Sequence, residues 1–219
     1  MRRFQMLGAI LAIGLPFLAG ADTPKSDAPK PAEEGFVTIF DGKTFNGWKV
    51  STDSPDTWKI EDGAFVTHGK TAHVFYMADE KPFKDFELRL DVMTREHANG
   101  GVYFHTKYQE KGFPRAGFEC QVNETHSDPK KTGGLYGIKD VMNTSPVKDN
   151  EWWEYSIMVK GKTVTLKVNG KVTAEWTQPE NFRKKLSEGT FALQAHDPKS
   201  EVHYKNIRVK RLDSTDDKK

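Results

Sequence analysis

Apolar and polar residues alternate along most of this chain in short runs, each bounded by a turn. Phe86, Leu88, Leu90 and Val92 interleave with Glu87, Arg89 and Asp91. That period of two is the signature of a strand with one buried face. Gly117-Phe118-Glu119-Cys120-Gln121-Val122 repeats it, and Val102 to His105 follows the Gly100-Gly101 pair in the same manner. Trp58 to Glu61 and Ala64 to Val66 flank Asp62-Gly63, a favoured two-residue hairpin turn. Trp153 to Val159 and Thr163 to Val168 flank Gly161, and Asn169-Gly170 leads into Lys171 to Trp176. Phe36 to Phe40, Thr190 to His196 and Val202 to Leu212 complete the strand-like segments. Short strands with turns at such intervals predict an all-β sandwich or jelly roll.

Two segments depart from the pattern. Pro179 to Leu186 is the only helix candidate, and Asn123 to Asp149 is a long, polar, glycine-containing stretch with little alternation. A loop of that length in a compact domain is usually functional or mobile. With no internal repeat or linker in 36–212, one folded domain is expected there.

The ends are of a different kind. Arg2 and Arg3 precede an apolar run from Met6 to Leu18, and Ala19-Gly20-Ala21 offers small residues for cleavage. Residues 1–21 therefore read as a secretory signal peptide cut after Ala21, too short and interrupted for a membrane span. Residues 22–35 and 213–219 are almost free of apolar side chains and read as a disordered linker and a charged tail. The expected location is outside the cytoplasm, secreted or periplasmic. The chain has 33 Lys and Arg against 31 Asp and Glu, and loss of Arg2 and Arg3 with the leader brings the two into balance. That balance argues against a nucleic-acid partner. The single cysteine, Cys120, allows no intrachain disulfide, and its strand phase sets it with Phe118 and Val122 as a small core residue.

Candidate chemistry is concentrated on one strand. Glu119 and Gln121 share a face, with Cβ atoms about 7 Å apart. A proton carrier and an amide hydrogen-bonder thus point the same way, although two-faced antiparallel sheets also place such residues simply in water. His105 shares its predicted face with Tyr103, and it serves equally well as a site residue or a surface histidine. His126-Ser127-Asp128 carries metal-ligand types but only two ligands. His68, His73, His97 and His203 are scattered, and Trp48, Trp58, Trp152 and Trp176 are expected in the core. Glu87, Arg89 and Asp91 form either a surface charge ladder or part of a groove.

Several motifs, in order, resemble a known family. They are Phe40-Asp41-Gly42-Lys43 with Asn46-Gly47-Trp48, Asn99-Gly100-Gly101-Val102-Tyr103-Phe104, Gly117 to Val122, Thr132-Gly133-Gly134-Leu135-Tyr136-Gly137, Val168-Asn169-Gly170, and Leu193-Gln194-Ala195-His196. Together they resemble the 3-keto-disaccharide hydrolases across nearly the whole body. The resemblance implies a concanavalin A-like jelly roll of two curved antiparallel sheets with a concave sugar-binding face. It also implies cleavage of glycosides oxidised at C3. A divalent metal ion is the one cofactor it suggests, with no ligand set assigned.

A ketone at C3 acidifies the C2 proton, so one base can form an enolate and the C1 substituent can leave by elimination, after which water adds. On this basis Glu119 or His196 is the proton carrier. Gln121 and Gln194 orient hydroxyls, and Tyr136, His105 and Asp128 bind the sugar. Plain hydrolysis through two carboxylates is poorly supported, because Glu119 has no second glutamate beside it before Glu124. A noncatalytic carbohydrate-binding module is the competing class, since the same polar face would serve it.

Overall fold

The structure, a computed structural model, describes residues 33–212. The predicted signal peptide, the charged tail and the linker up to residue 32 lie outside the described residues. Fifteen strands follow one another: β1 (Val37–Thr38), β2 (Trp48–Val50), β3 (Trp58–Glu61), β4 (Ala64–Thr67), β5 (Ala72–Tyr76), β6 (Phe86–Thr94), β7 (Asn99–Thr106), β8 (Phe118–Asn123), β9 (Lys130–Leu135), β10 (Lys139–Met142), β11 (Trp153–Lys160), β12 (Thr163–Val168), β13 (Lys171–Thr177), β14 (Thr190–Ala195) and β15 (Val202–Arg211). Among the described residues the only helical element is a 3-10 turn at Pro55–Thr57.

Two antiparallel sheets pack face to face as a jelly-roll sandwich. One has the order β13-β12-β11-β6-β15-β4-β3, with β1 added along β15; the other has the order β10-β9-β8-β7-β14-β5-β2. The alternating residues meet between them. Phe86, Leu88, Leu90 and Val92 of β6, Phe118, Cys120 and Val122 of β8, and Tyr155 and Ile157 of β11 are all buried in one core. At about 25 cal/mol per Å² of apolar area removed from water, that layer is the main force holding the sheets together. Cys120 is fully buried, and burial pushes its thiol far up, so it packs rather than reacts. Trp48 and Trp58 are buried, whereas Trp176 packs at the core's margin. Trp152 lies outside it, under Lys205 Nζ at 4.0 Å.

The outer face of the eight-stranded sheet answers the question posed by Glu87, Arg89 and Asp91. Arg89 pairs with Glu87 at 2.7 Å and with Glu33 at 2.5 Å. Arg208 pairs with Glu33 at 2.9 Å and Glu154 at 2.8 Å, and Asn206 donates to Asp91 at 2.7 Å. This is a charge ladder, remote from the other sheet. It also corrects the linker expectation at its C-terminal end: Glu33 is docked, and Phe36 N–H closes a turn onto Glu33 O at 3.0 Å.

Two further expectations fail. Residues 179–186 form turns, not a helix, held by Phe182 N–H on Pro179 O and by Leu186 N–H on Gln178 Oε1. The stretch 123–149 contains β9 and β10. Its alternation is hidden because Gly133 and Gly134 replace side chains where β9 runs close to Thr173 and to the backbone of Asp140 and Val141.

Candidate functional site

The seven-stranded sheet presents a polar outer face around a hollow of about 300 Å³. Its lining is Asn99 and Tyr103 of β7, Glu119 and Gln121 of β8, Gln194 of β14, with Phe113, Asp128, Tyr136 and His196 from adjoining loops. Strand phase explains the selection. Val102, Phe104, Cys120 and Val122 point into the core, so 99, 101, 103, 119 and 121 must face the other way.

Register then assembles the centre. Tyr103 lies directly opposite Glu119, while Gln194, Gly101 and Gln121 form a second row across β14, β7 and β8. Gly101 leaves the middle of that row empty. A Cβ there would come 2.5 Å from Glu119 Oε1, which means the carboxylate leans over this glycine. From that position Glu119 reaches both neighbours. Tyr103 Oη donates to Oε2 at 2.8 Å, and Gln194 Nε2 donates to Oε1 at 2.9 Å and lies 3.1 Å from Tyr103 Oη.

Burial raises the Glu119 carboxyl above its usual range, and the donations from Tyr103 and Gln194 offset only part of that. Burial and the facing carboxylate push the Tyr103 phenol up as well, so it remains a fixed donor. Gln121 donates to Asn99 Oδ1 at 3.1 Å. The side-chain oxygens of Gln121 and Gln194 are buried without a protein partner.

The rim comes from loops. His196 Nδ1 lies 2.9 Å from Asp197 Oδ2; Asp197 also accepts from Ser200 Oγ at 2.7 Å. These contacts hold the Asp197 carboxyl below its usual range against the opposing effect of burial. Tyr136 Oη donates to Asp128 Oδ2 at 3.3 Å, and Lys130 Nζ stands 3.9 Å over the Tyr136 ring.

Of the residues named from sequence, Glu119, Gln121, Asp128, Tyr136, Gln194 and His196 thus meet around one hollow. His105 does not. Between β7 and β14 the register slips, so that Phe104 and His105 together oppose Phe191, and His105 takes a left-handed φ of +52°. Its ring turns away to the end of the sheet, where Nε2 donates to Lys84 O at 2.9 Å and Nδ1 accepts from Ser187 N–H at 3.3 Å. It is a satisfied structural histidine, and burial lowers its basicity. Sequence reasoning also passed over Asn99, Gly101, Tyr103 and Phe113. The first three share a face at spacing two, a signal open to inspection; Phe113, in an irregular loop, offers none.

A resident metal ion is not supported by the donor set. Among the described residues no three His, Cys, Asp or Glu side chains gather at coordinating distance. The nearest approach is Asp197 Oδ2, at 2.9 Å from His196 Nδ1 and 4.0 Å from His126 Nε2, already committed to Ser200.

Comparison with known proteins decides the family. Residues 35–210 match the model of the 3-keto-alpha-glucoside-1,2-lyase-like domain. The chain belongs to this family. A 3-keto-disaccharide hydrolase from Bacteroides thetaiotaomicron is 26% identical, the match covering 90% of this chain and 84% of that protein. Among solved structures, a candidate glycosyl hydrolase from Parabacteroides distasonis superposes with a TM-score of 0.68 at 24% identity, covering 82% of this chain and 95% of that one. A carbohydrate-binding module from Bacillus subtilis superposes with a TM-score of 0.56 at 14% identity, covering 75% and 95%. Both structures share the fold of this family member.

Proposed function

We propose that this protein is a carbohydrate-active enzyme that cleaves 3-keto-glucosides by elimination followed by hydration. The family match and the 3-keto-disaccharide hydrolase relative support the substrate class. The observation that carries the mechanism is the Glu119 carboxyl. It is partly buried on the wall of the hollow, with both oxygens held by neutral donors and its basicity raised by burial. A carboxylate with a raised pKa is a stronger base, which is what abstraction of a proton beside a ketone requires.

In this scheme Glu119 takes the C2 proton. The C2–H electron pair forms the C2–C3 double bond of the enolate, with negative charge on the C3 oxygen. Collapse of the enolate moves electrons to C1–C2 and breaks the C1–O bond. His196, oriented through Nδ1 by Asp197, protonates the departing oxygen. The buried amide oxygens of Gln121 and Gln194 accept from sugar hydroxyls, and Tyr136 and Asp128 hold the ring at the rim. Water then adds across the new double bond. Tyr103 acts on Glu119 rather than on the sugar, and together with the amide nitrogen of Gln194 it fixes the carboxylate over Gly101.

The deciding experiment compares release of the leaving group from a 3-keto-glucoside and from the same glucoside unoxidised. Wild-type protein is expected to cleave only the former. Glu119→Gln and His196→Ala are each expected to lose at least about a hundredfold in kcat. Full activity in both variants would refute the assignment, and saturable binding without turnover would make the protein a binding module. The leader-like pattern at 1–21 favours an envelope location, for which a mature N-terminus at Asp22 is the test.

A further inference from the structure

One titratable group beside the hollow has no role in this scheme. His73 of β5 is 0% exposed, and neither ring nitrogen has a hydrogen-bond partner. It is not a residue of the sandwich core. It lies opposite Gln194 in the row that continues through Gly101 to Gln121, on the polar face of the seven-stranded sheet. Its ring is packed edge-on against Tyr103 at 5.7 Å and against Phe113 at 5.6 Å. Phe113 in turn lies 5.7 Å from His196, so one aromatic ring separates the two histidines.

The cover is a single side chain open to solvent on its outer side. Phe113 is 47% exposed and sits between β7 and β8 with no strand of its own. Its segment is fastened to residues 52–53 and to itself: Thr52 N–H donates to Glu110 O at 2.7 Å, Gly112 N–H donates to Asp53 Oδ2 at 2.8 Å, and Gln109 Nε2 donates to Phe113 O at 2.9 Å. Ser51 ties the same anchor to β5, donating from Oγ to Asp53 Oδ1 at 2.6 Å and accepting from His73 N–H at 3.0 Å.

A buried imidazole that makes neither of its two hydrogen bonds is less favourable than an apolar ring of the same size. Burial lowers its pKa to about 4, so the ring is neutral, with one donor and one acceptor unspent. We propose that His73 is a specificity-determining residue, covered by Phe113 in the free protein, that hydrogen-bonds a hydroxyl of the leaving group. It lies on the His196 side of the hollow, away from Glu119, where the departing group would sit. The proposal rests on the elimination reading above and adds a preference to it: a hydroxyl-bearing leaving group, such as a second sugar, over an apolar aryl group.

The test compares a 3-keto-disaccharide with a 4-nitrophenyl 3-keto-glucoside in wild type and His73→Leu. The variant is expected to melt at or above the wild-type temperature, because it removes two unmet polar groups. Its kcat/KM for the disaccharide should fall about tenfold or more, with less than a threefold change for the aryl substrate. In wild type, the 15N signals of the His73 imidazole should move on titration with the 3-keto-disaccharide. An equal loss on both substrates, no loss on either, or an unmoved imidazole would overturn the proposal. If His73→Leu fails to fold, His73→Phe carries the same comparison. If wild type turns over neither substrate, the elimination reading fails by itself, and the imidazole titration alone decides whether His73 contacts the sugar.

Discussion

Gly101→Ala isolates the geometry on which the proposed chemistry depends, because it moves Glu119 without changing it. The added Cβ would stand 2.5 Å from Glu119 Oε1, 3.0 Å from its Cγ and 3.2 Å from its Cδ. The carboxylate must therefore leave its position over β7. It gives up the bonds from Tyr103 and Gln194, at 2.8 and 2.9 Å. Each such bond to a charged group contributes about 1.5–3 kcal/mol, an upper bound here because a displaced carboxylate can reach water. Gly101 has no left-handed φ, so alanine is compatible with the strand backbone and reduces the freedom of the unfolded chain. The net stability loss should stay within about 1–3 kcal/mol. Activity should suffer more, since displacing a general base by roughly 1 Å costs on the order of a hundredfold. Urea unfolding gives the first quantity, and initial rates on a 3-keto-glucoside give the second. The double variant Gly101→Ala/Glu119→Gln should be no slower than Glu119→Gln alone, because the glycine acts only through the carboxylate. A folded Gly101→Ala protein retaining more than half the wild-type rate would refute the account.

Other outcomes follow from the same structure. A base must be unprotonated, and burial raises the pKa of Glu119, so kcat/KM should rise with pH through an apparent pKa above 4.5 in wild type; an acid limb at or below that value would contradict this. Glu124 is buried with a pKa pushed up to about 7, chiefly by desolvation and further by Asp149. Thr94 Oγ1 lies 2.8 Å from Glu124 and 2.7 Å from Asp149, yet has one proton to share. The folded state thus binds a proton more tightly than the unfolded chain, and stability should fall as pH rises from about 4.5 through about 7. The total is about 3 kcal/mol. Glu124→Gln should flatten that slope in urea titrations, and an unchanged slope would count against it. Gly117 has φ +80°, and a Cβ there would meet Phe104 O at 2.2 Å, so Gly117→Ala should lose more than about 2 kcal/mol by urea unfolding; a wild-type midpoint would disprove that close approach.

Strand phase is a local property, and it was legible. Phe118, Cys120 and Val122 could only share one face, which left Glu119 and Gln121 on the other, and the structure keeps that division. The all-β class followed from the same period and from the turn residues between runs. The Asp62-Gly63 and Asn169-Gly170 hairpins form as the sequence predicts, because a two-residue turn ties register to the chain itself.

What lies across strands distant in sequence was not legible. Nothing near Gln194 announces that Gly101 will be its neighbour, or that His73 will flank it on the other side. A single bulged residue with positive φ was enough to carry His105 away from Tyr103, since one extra residue reverses the phase of everything beyond it. The glycines of β9 conceal a strand as fully as they permit one. Side-chain chemistry and periodicity, which the chain carries residue by residue, determined the class of fold and the polar strand. Cross-strand register and loop placement arise only when the two sheets close on their core, and they alone decided which of those polar residues share a hollow.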